Sequence, residues 1–434
     1  MFNRIICGDC REVIKTLSSE SVDLILTSPP YWYLRDYGES AVQVWGGSPD
    51  CVHEFGEDGF CVCGAWRGQL GLEPDWRLYV EHLAGIFTEC RRVLKKHGNF
   101  VLNLGDTFTK GGSGPHGENS QLADRKVAKA QVISEKPSCR DPAGMKLGIP
   151  YRVRFALNDA GWISRDDIVW FKLNAMPSSV KLRFNTTYEM FFRFTKNVNP
   201  GGYCQLRTSA PSEIEEEFRR RCANWGSVGV LPEEMCDRSW KPYLVRLPAY
   251  FDLDAVREPL KESTVKRSLQ SNLENQEGRK GALMVAAMPE KWTRQGRDIH
   301  LTIRDRIRRE KGKYGSVSIS ATVDGLHENR REEYFHPYGR NPGDVWTIAT
   351  EPNHEEHFVI FPERLVAKLV IAFCPPGGVV LDPFCGSGTT MVVAERYGRR
   401  WMGIDAVPEY CEIARKRVGS EARQLKLNFA GGDL

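Results

Sequence analysis

A chain of 434 residues, 41% hydrophobic and 27% charged, exceeds what one hydrophobic core usually organises, so it reads as one large domain with insertions or as two domains. Its net charge of +4, from 60 basic and 56 acidic residues, is too balanced to imply a polyanionic partner by itself. Thirteen cysteines, mostly scattered singly, do not read as a disulfide framework, no apolar run approaches the roughly 18 to 20 residues of a membrane span, and Arg4, Asp9 and Arg11 break up any signal-peptide core near the start; a soluble protein of the reducing cytoplasm is expected.

The first hundred residues alternate strand and helix. Ile5-Ile6 reads as a short strand, Cys10 to Leu17 as an amphipathic helix, and Val22 to Leu26 as a buried strand. A helical face runs from Trp76 to Leu94, with Lys95-Lys96-His97-Gly98 as its basic end and stop, before a strand at Asn99 to Leu104. This is the texture of a parallel α/β sheet. Residues 107–146 carry a Gly-Gly-Ser-Gly-Pro run and read as a surface loop. A helix is expected at 150–160, with strands at 167–171 and 189–194. Between Lys196 and Tyr334 the texture is polar and irregular apart from a helix at 303–311, which marks an insertion. Strong α/β signals then return: helix 362–373, strand 379–381, a Gly-rich turn, helix 389–397, strand 401–404 and helix 409–418.

Two stretches carry chemistry. In Val379 to Tyr410 a strand ends at Asp382, a loop carries Gly386 and Gly388, a helix starts near Thr389, and a second strand ends in Asp405 about 20 residues on. The glycines let the backbone approach a ligand, and the second acid can accept hydrogen bonds from ribose hydroxyls. No Walker lysine is present, so the loop invites a nucleoside rather than a diphosphate. A tight turn between strand and helix is the bland alternative; the flanking Asp-Pro-Phe, two threonines and the spaced acid argue against it. The other stretch is "LTSPPYW", Leu26 to Trp32, which ends an apolar strand abruptly with two prolines and aromatics.

Together LDPFCGSGTT and LTSPPYW resemble the S-adenosylmethionine-dependent amino-methyltransferases of DNA, in the permuted order of their β group. GDC (8–10), LNLGD (102–106), DIVWFK (167–172), GRNPGDVW (339–346), HFVIFPERL (357–365) and GIDAVPEY (403–410) extend the resemblance over nearly all the regular structure. It implies a doubly wound, mostly parallel, Rossmann-like α/β methyltransferase sheet, circularly permuted. Residues 1–196 would form the catalytic half, 197–335 an inserted target-recognition region, and 336–434 the cofactor half. It further implies cofactor contacts at Asp9, Phe361, Asp382, Phe384, Gly386, Gly388, Thr389 and Asp405, though Asp9 is as readily a helix cap. An exocyclic amine is a poor nucleophile because its lone pair is delocalised into the ring; acceptors that take both amine hydrogens localise it. Ser28 supplies one acceptor and the Pro29 carbonyl the other, held rigid by Pro30. Tyr31 offers a face for a base turned out of duplex DNA, with Trp32 beside it. Asp106, at the rim, could assist proton removal or only cap a loop. Ser at position 28 leans toward N4 of cytosine; N6 of adenine is the alternative, and a non-catalytic binding protein on a decayed scaffold would show damage in these motifs, which are intact. A cognate restriction endonuclease acting on the same site is an implied partner.

Two further signals remain. Cys51, His53, Cys61 and Cys63, within thirteen residues, suit one tetrahedral structural zinc in an insertion at 51–66, although the Cys-x-Cys and Cys-x-His spacings are tighter than the usual knuckle. The segment from Lys261 to Lys313 carries 14 basic and 7 acidic residues, and Arg304, Arg308 and Arg309 are its candidate contacts to DNA phosphates.

Overall fold

The computed structural model describes residues 2–109, 131–132, 141–175, 183–196, 201–207, 210–259, 340–350 and 361–430. In chain order the strands are β1 (Arg4–Cys7), β2 (Val22–Thr27), β3 (Arg35–Asp36), β4 (Val42–Trp45), β5 (Trp66–Gln69), β6 (Leu94–Leu104), β7 (Gln131–Val132), β8 (Ile163–Phe171), β9 (Tyr188–Thr195), β10 (Tyr203–Leu206), β11 (Leu231–Pro232), β12 (Leu244–Leu247), β13 (Val345–Thr347), β14 (Val379–Asp382) and β15 (Arg400–Asp405). The α-helices are α1 (Cys10–Lys15), α2 (Trp76–Val93), α3 (Ile149–Asp159), α4 (Ser212–Trp225), α5 (Glu363–Phe373), α6 (Thr389–Arg396) and α7 (Pro408–Ala430).

Eight strands form one sheet in the order β1-β15-β14-β2-β6-β9-β8-β13. All neighbours run parallel except β9, which is antiparallel to both β6 and β8. The expected mostly parallel α/β sheet is therefore present. Such strands are covered on both faces and read as continuous apolar runs; all six residues of β2 are buried. Successive side chains point to opposite faces, so Ile25, Phe100, Leu102 and Leu381 enter one core with α1 to α3. Leu24, Leu26, Val101 and Val380 enter the other with α5 to α7.

The chain divides into two compact units, residues 1–256 with 342–434, and residues 257–341. In the second, the described residues include an antiparallel bridge between Glu258 and Arg340, joined also by an ion pair.

Several elements differ from expectation. Lys95 to Gly98 do not end α2: the helix stops at Val93 and β6 begins at once. The reason is lateral, since Leu94 pairs with Val22 and the Lys95 ammonium bonds Asp23 on β2 at 2.8 Å. Strand β8 starts four residues earlier than expected, and α7 runs on to Ala430. Between 203 and 247 the expected irregular texture is instead a three-stranded antiparallel sheet, β11-β10-β12, with α4 on it. Only Phe218 and Cys222, one turn apart, mark the buried face of α4; the charged remainder pairs along the helix, as Glu215 with Arg219 and Glu217 with Arg221. The expected helix at 303–311 lies outside the described residues.

Candidate active site

Strands β1, β15, β14 and β2 are parallel neighbours, so their carboxyl ends share one edge. Strand order reverses between β14 and β2: sequence-adjacent β15 lies on one side of β14, and β2 leads away on the other. Crevices at such a switch point bind ligands in open α/β sheets. Here a cleft encloses about 1220 Å³ of empty space, its open mouth included. The two stretches, some 350 residues apart, meet in it: the Thr27 hydroxyl donates to Asp382 Oδ1 at 2.6 Å.

On the glycine-loop side, the Asp382 carboxylate also accepts from the Thr390 hydroxyl at 2.8 Å and the Phe384 N–H at 3.1 Å. Burial outweighs these bonds and pushes its carboxyl up to about 6. Asp405 accepts from the Gly386 N–H at 2.8 Å and the Val407 N–H at 2.9 Å, and burial likewise pushes it up to about 6. Asp382, Phe384, Gly386, Thr389, Asp405 and Phe361 all line the cleft. Gly388 stands behind it: a Cβ there would lie 2.8 Å from the Ala414 Cβ, so the glycine lets α6 press against α7. Asp9 is the N-cap of α1, accepting from the Arg11 N–H at 2.8 Å and pairing with the Arg11 guanidinium at 2.6 Å. Its neighbours Gly8 and Cys10, not Asp9, face the cleft.

On the other side, Ser28, Pro29, Pro30 and Tyr31 line the cleft together. The Pro30 carbonyl is taken by the Tyr79 hydroxyl at 2.7 Å, which pins the proline turn to α2. Tyr31 packs closely against the chain at Gly105, where an added Cβ would sit 2.5 Å from its ring. Its hydroxyl reaches Asn103 Oδ1 at 2.5 Å and Glu189 Oε2 at 2.9 Å, and the Ser28 hydroxyl lies 3.2 Å from both Tyr31 Oη and Asn103 Oδ1. Trp32 is not a cleft wall: it is buried, with its indole N–H on the Glu73 carbonyl at 3.0 Å. Asp106 also turns away. Its carboxylate accepts from the backbone N–H of Thr107, Gly148 and Ile149, so it caps the start of α3, whose own N-cap is a glycine.

Sequence reasoning missed Asn103, Gly105, Lys172 and Glu189 as site residues, though three of the four sit inside the quoted LNLGD and DIVWFK. It also missed Arg35, Tyr37, Gln43, Trp45 and Tyr410 on the cleft wall. Gln43 and Trp45 arrive on the β4–β5 hairpin, whose four-residue strands are too short to give a periodic signal. The Arg11 guanidinium lies over the Trp45 ring at 3.9 Å, and the His82 ring stacks on the same indole at 4.4 Å between centroids.

The chain joining β4 to β5 holds the four candidate metal ligands. One ligand atom each from Cys51, His53, Cys61 and Cys63 falls within 4.8 Å of all the others. Cys51 Sγ and Cys61 Sγ are 3.8 Å apart, and Cys63 Sγ is 3.3 Å from His53 Nδ1. Zinc bonded tetrahedrally to sulfur at about 2.3 Å sets its sulfurs about 3.8 Å apart, so the donor set fits that ion in kind and in spacing. Arg304, Arg308 and Arg309 lie outside the described residues.

Known proteins similar to this chain are DNA methylases and Type II methyltransferases. The profile of the DNA methylase family of N6 and N4 methyltransferases matches residues 22–416. The Type II methyltransferase M.SmaI of Serratia marcescens is 26% identical over 419 residues, 96% of this chain and 90% of its own. The Type II methyltransferase M.SfiI of Streptomyces fimbriatus is 30% identical over 423 residues, 93% of this chain and 88% of its own. Among solved structures, the cytosine-N4-specific PvuII DNA methyltransferase aligns at 14% identity with a TM-score of 0.46, over 98% of this chain and 93% of its own.

Proposed function

The chain belongs to the DNA methylase family of amino-methyltransferases, and on that premise we propose that it transfers a methyl group from S-adenosylmethionine to N4 of a cytosine turned out of duplex DNA. The observation that carries the reading is the seating of Ser28-Pro29-Pro30-Tyr31 beside the Asp382–Gly388 loop in one cleft. The donor set suits the cofactor: Asp405 would hold the ribose, and Phe361, Pro383, Phe384 and Val407 give the cleft an apolar wall. When bound, S-adenosylmethionine supplies an electrophilic methyl group on sulfur. Ser28 and the Pro29 carbonyl accept the two amine hydrogens, and Tyr31 stacks the base. Serine at position 28 is the ground for cytosine over adenine. The test is nucleoside mass spectrometry of DNA from cells expressing the protein: N4-methylcytosine is expected, N6-methyladenine would overturn the base assignment alone, and unmodified DNA would overturn the activity.

The cleft carboxyls give a pH signature. Asp382 and Asp405, pushed up to about 6 from 3.8, hold protons that the unfolded chain has already released, so their contribution to stability falls as pH rises from about 4 to about 6. A ligand carrying a sulfonium charge favours the ionised carboxylates. Its binding therefore releases protons near pH 6, and affinity rises between about pH 5 and 7, by at most about tenfold per unit for each carboxyl. Calorimetry at pH 6 in two buffers of different ionisation enthalpy measures the release; none would show that neither carboxyl senses the cofactor.

The cysteine-histidine cluster holds one structural zinc in this reading, clasping the hairpin that brings Gln43 and Trp45 to the cleft. Protein purified without chelators is expected to carry about one zinc per chain, as a single tetrahedral site requires; metal-free, folded protein would end the assignment. Residues 197–335 serve target recognition, with Arg304, Arg308 and Arg309 on DNA phosphates. A restriction endonuclease of the same specificity is the expected partner, and the free thiols suit a cytoplasmic setting.

A further inference from the structure

The transfer leaves the target nitrogen with a proton to lose, and the residue first suspected of receiving it, Asp106, is committed to α3. We propose that Glu189 is the terminal acceptor of that proton, reached through Ser28 and Tyr31; the proposal rests on the reading of the cleft given above. Ser28 Oγ donates to Tyr31 Oη at 3.2 Å, and Tyr31 Oη donates to Glu189 Oε2 at 2.9 Å, so two hydroxyls lead from the cleft to a carboxylate behind it. Ser28 and Tyr31 line the cleft, whereas Glu189 does not. The carboxylates that do line the cleft are bonded elsewhere: Asp382 to Thr27, Thr390 and the Phe384 N–H, and Asp405 to the Gly386 and Val407 N–H groups.

The surroundings fix this path. Asn103 Oδ1 sits 3.2 Å from Ser28 Oγ and 2.5 Å from Tyr31 Oη, and its amide is oriented by donating from Nδ2 to the Met190 carbonyl at 3.1 Å. An amide oxygen accepts hydrogen bonds but takes up no proton at neutral pH, so Asn103 Oδ1 is an alternative acceptor for each hydroxyl's single proton and does not end the chain. The second oxygen of Glu189 is bonded by the Lys172 ammonium, whose Nζ lies over the Trp170 ring at 4.7 Å. Lys172 leaves Oε2 as the oxygen turned to Tyr31. Burial, and then the charge of Glu189, raise the Tyr31 hydroxyl well above its ordinary pKa; it does not stand ionised, and can give up its proton only while receiving another.

The atoms balance as follows. The amine nitrogen uses its lone pair to bond the methyl carbon, and sulfur keeps the electron pair of the bond that breaks. One N–H bond of the amine then breaks with its electrons staying on nitrogen, and the proton passes to Ser28 Oγ. The Ser28 proton moves to Tyr31 Oη and the Tyr31 proton to Glu189 Oε2. Both hydroxyls end neutral, and the carboxylate ends as the acid, which returns the proton to solvent between turnovers.

The test uses the full chain with S-adenosylmethionine and duplex DNA bearing its mapped target, and Glu189→Gln as the variant. Glutamine keeps an oxygen for Tyr31 and nearly the same volume but cannot take the proton. Single-turnover methyl transfer is expected to fall by about 100-fold, the lower range for a lost general base. Cofactor affinity, and 2-aminopurine fluorescence from the captured base in the presence of S-adenosylhomocysteine, are expected to stay as in the wild type. Because that substitution leaves the Lys172 charge unpaired and the fold could suffer, Tyr31→Phe is the second variant: it keeps the Lys172–Glu189 pair and the stacking face, and is expected to lose rate equally while still capturing the base. The double variant should be no slower than the slower single one, since a chain already broken loses nothing further. A near-normal rate for folded Glu189→Gln would reduce Glu189 to a residue that merely holds Tyr31 in place, and multiplied losses in the double variant would show that the two residues act independently, which would overturn the path. A wild-type protein that failed to methylate would instead overturn the reading of the cleft.

Discussion

Ser28→Ala is expected to lower the single-turnover rate by on the order of 100-fold or more, the usual cost of losing one preorganised partner where charge develops, with little change in cofactor affinity. The geometry explains the size of the loss. Ser28 follows the buried strand β2 at the cleft, and its proton has acceptors in Asn103 Oδ1 and Tyr31 Oη at 3.2 Å, so its lone pairs are left for an amine hydrogen. Alanine removes that acceptor and the first link of the path to Glu189, while Thr27, which ties β2 to Asp382, is untouched. Tyr31→Ala should behave differently, weakening capture of the extrahelical base as seen by 2-aminopurine fluorescence. A Ser28→Ala protein with near-normal turnover would make the Ser-Pro-Pro-Tyr stretch a rigid turn and nothing more.

The second large effect is expected at Gly386. Its φ of +49° lies in the left-handed region, where a β-branched residue is strongly disfavoured. Its N–H donates to Asp405 Oδ2 at 2.8 Å, which holds the loop over the end of β15. Gly386→Val forces the loop out of that conformation and breaks the bond that aims Asp405. S-adenosylmethionine affinity should fall at least about 100-fold, equivalent to about 2.7 kcal/mol, with the melting temperature less affected because Gly386 itself is only half-buried, at the carboxyl end of the sheet. Gly388 makes the contrast: a side chain there would strike Ala414, with its Cα at 3.0 Å, and should cost stability as well. Titration calorimetry with thermal unfolding separates the two, and unchanged affinity in Gly386→Val would show the loop to be an ordinary turn.

The sequence by itself determined those features whose physics is local. Leu24 to Leu26 and Val379 to Leu381 are apolar without alternation because parallel strands are buried on both faces, and the glycine loop and the proline turn announce their strand ends through backbone restrictions written in one or two residues. The four candidate zinc ligands were legible for the same reason: thirteen residues bring them together without help from the rest of the chain. Tertiary structure decided what lies beside what. The Asp106 carboxylate could serve either chemistry or a helix cap until α3, more than 40 residues on, presented its N–H groups to it. Lys95 looked like a helix terminus until Asp23 on the neighbouring strand drew it into β6. Asn103 and Glu189 became partners of the proline turn only because the sheet order sets β6 and β9 in succession beside β2, across separations of 75 and 158 residues from the hydroxyls they bond. A strand's own sequence encodes its burial, but its neighbours are fixed by the packing of every crossover helix at once, and so the hydrogen-bond partners behind the site could be seen only in the folded chain.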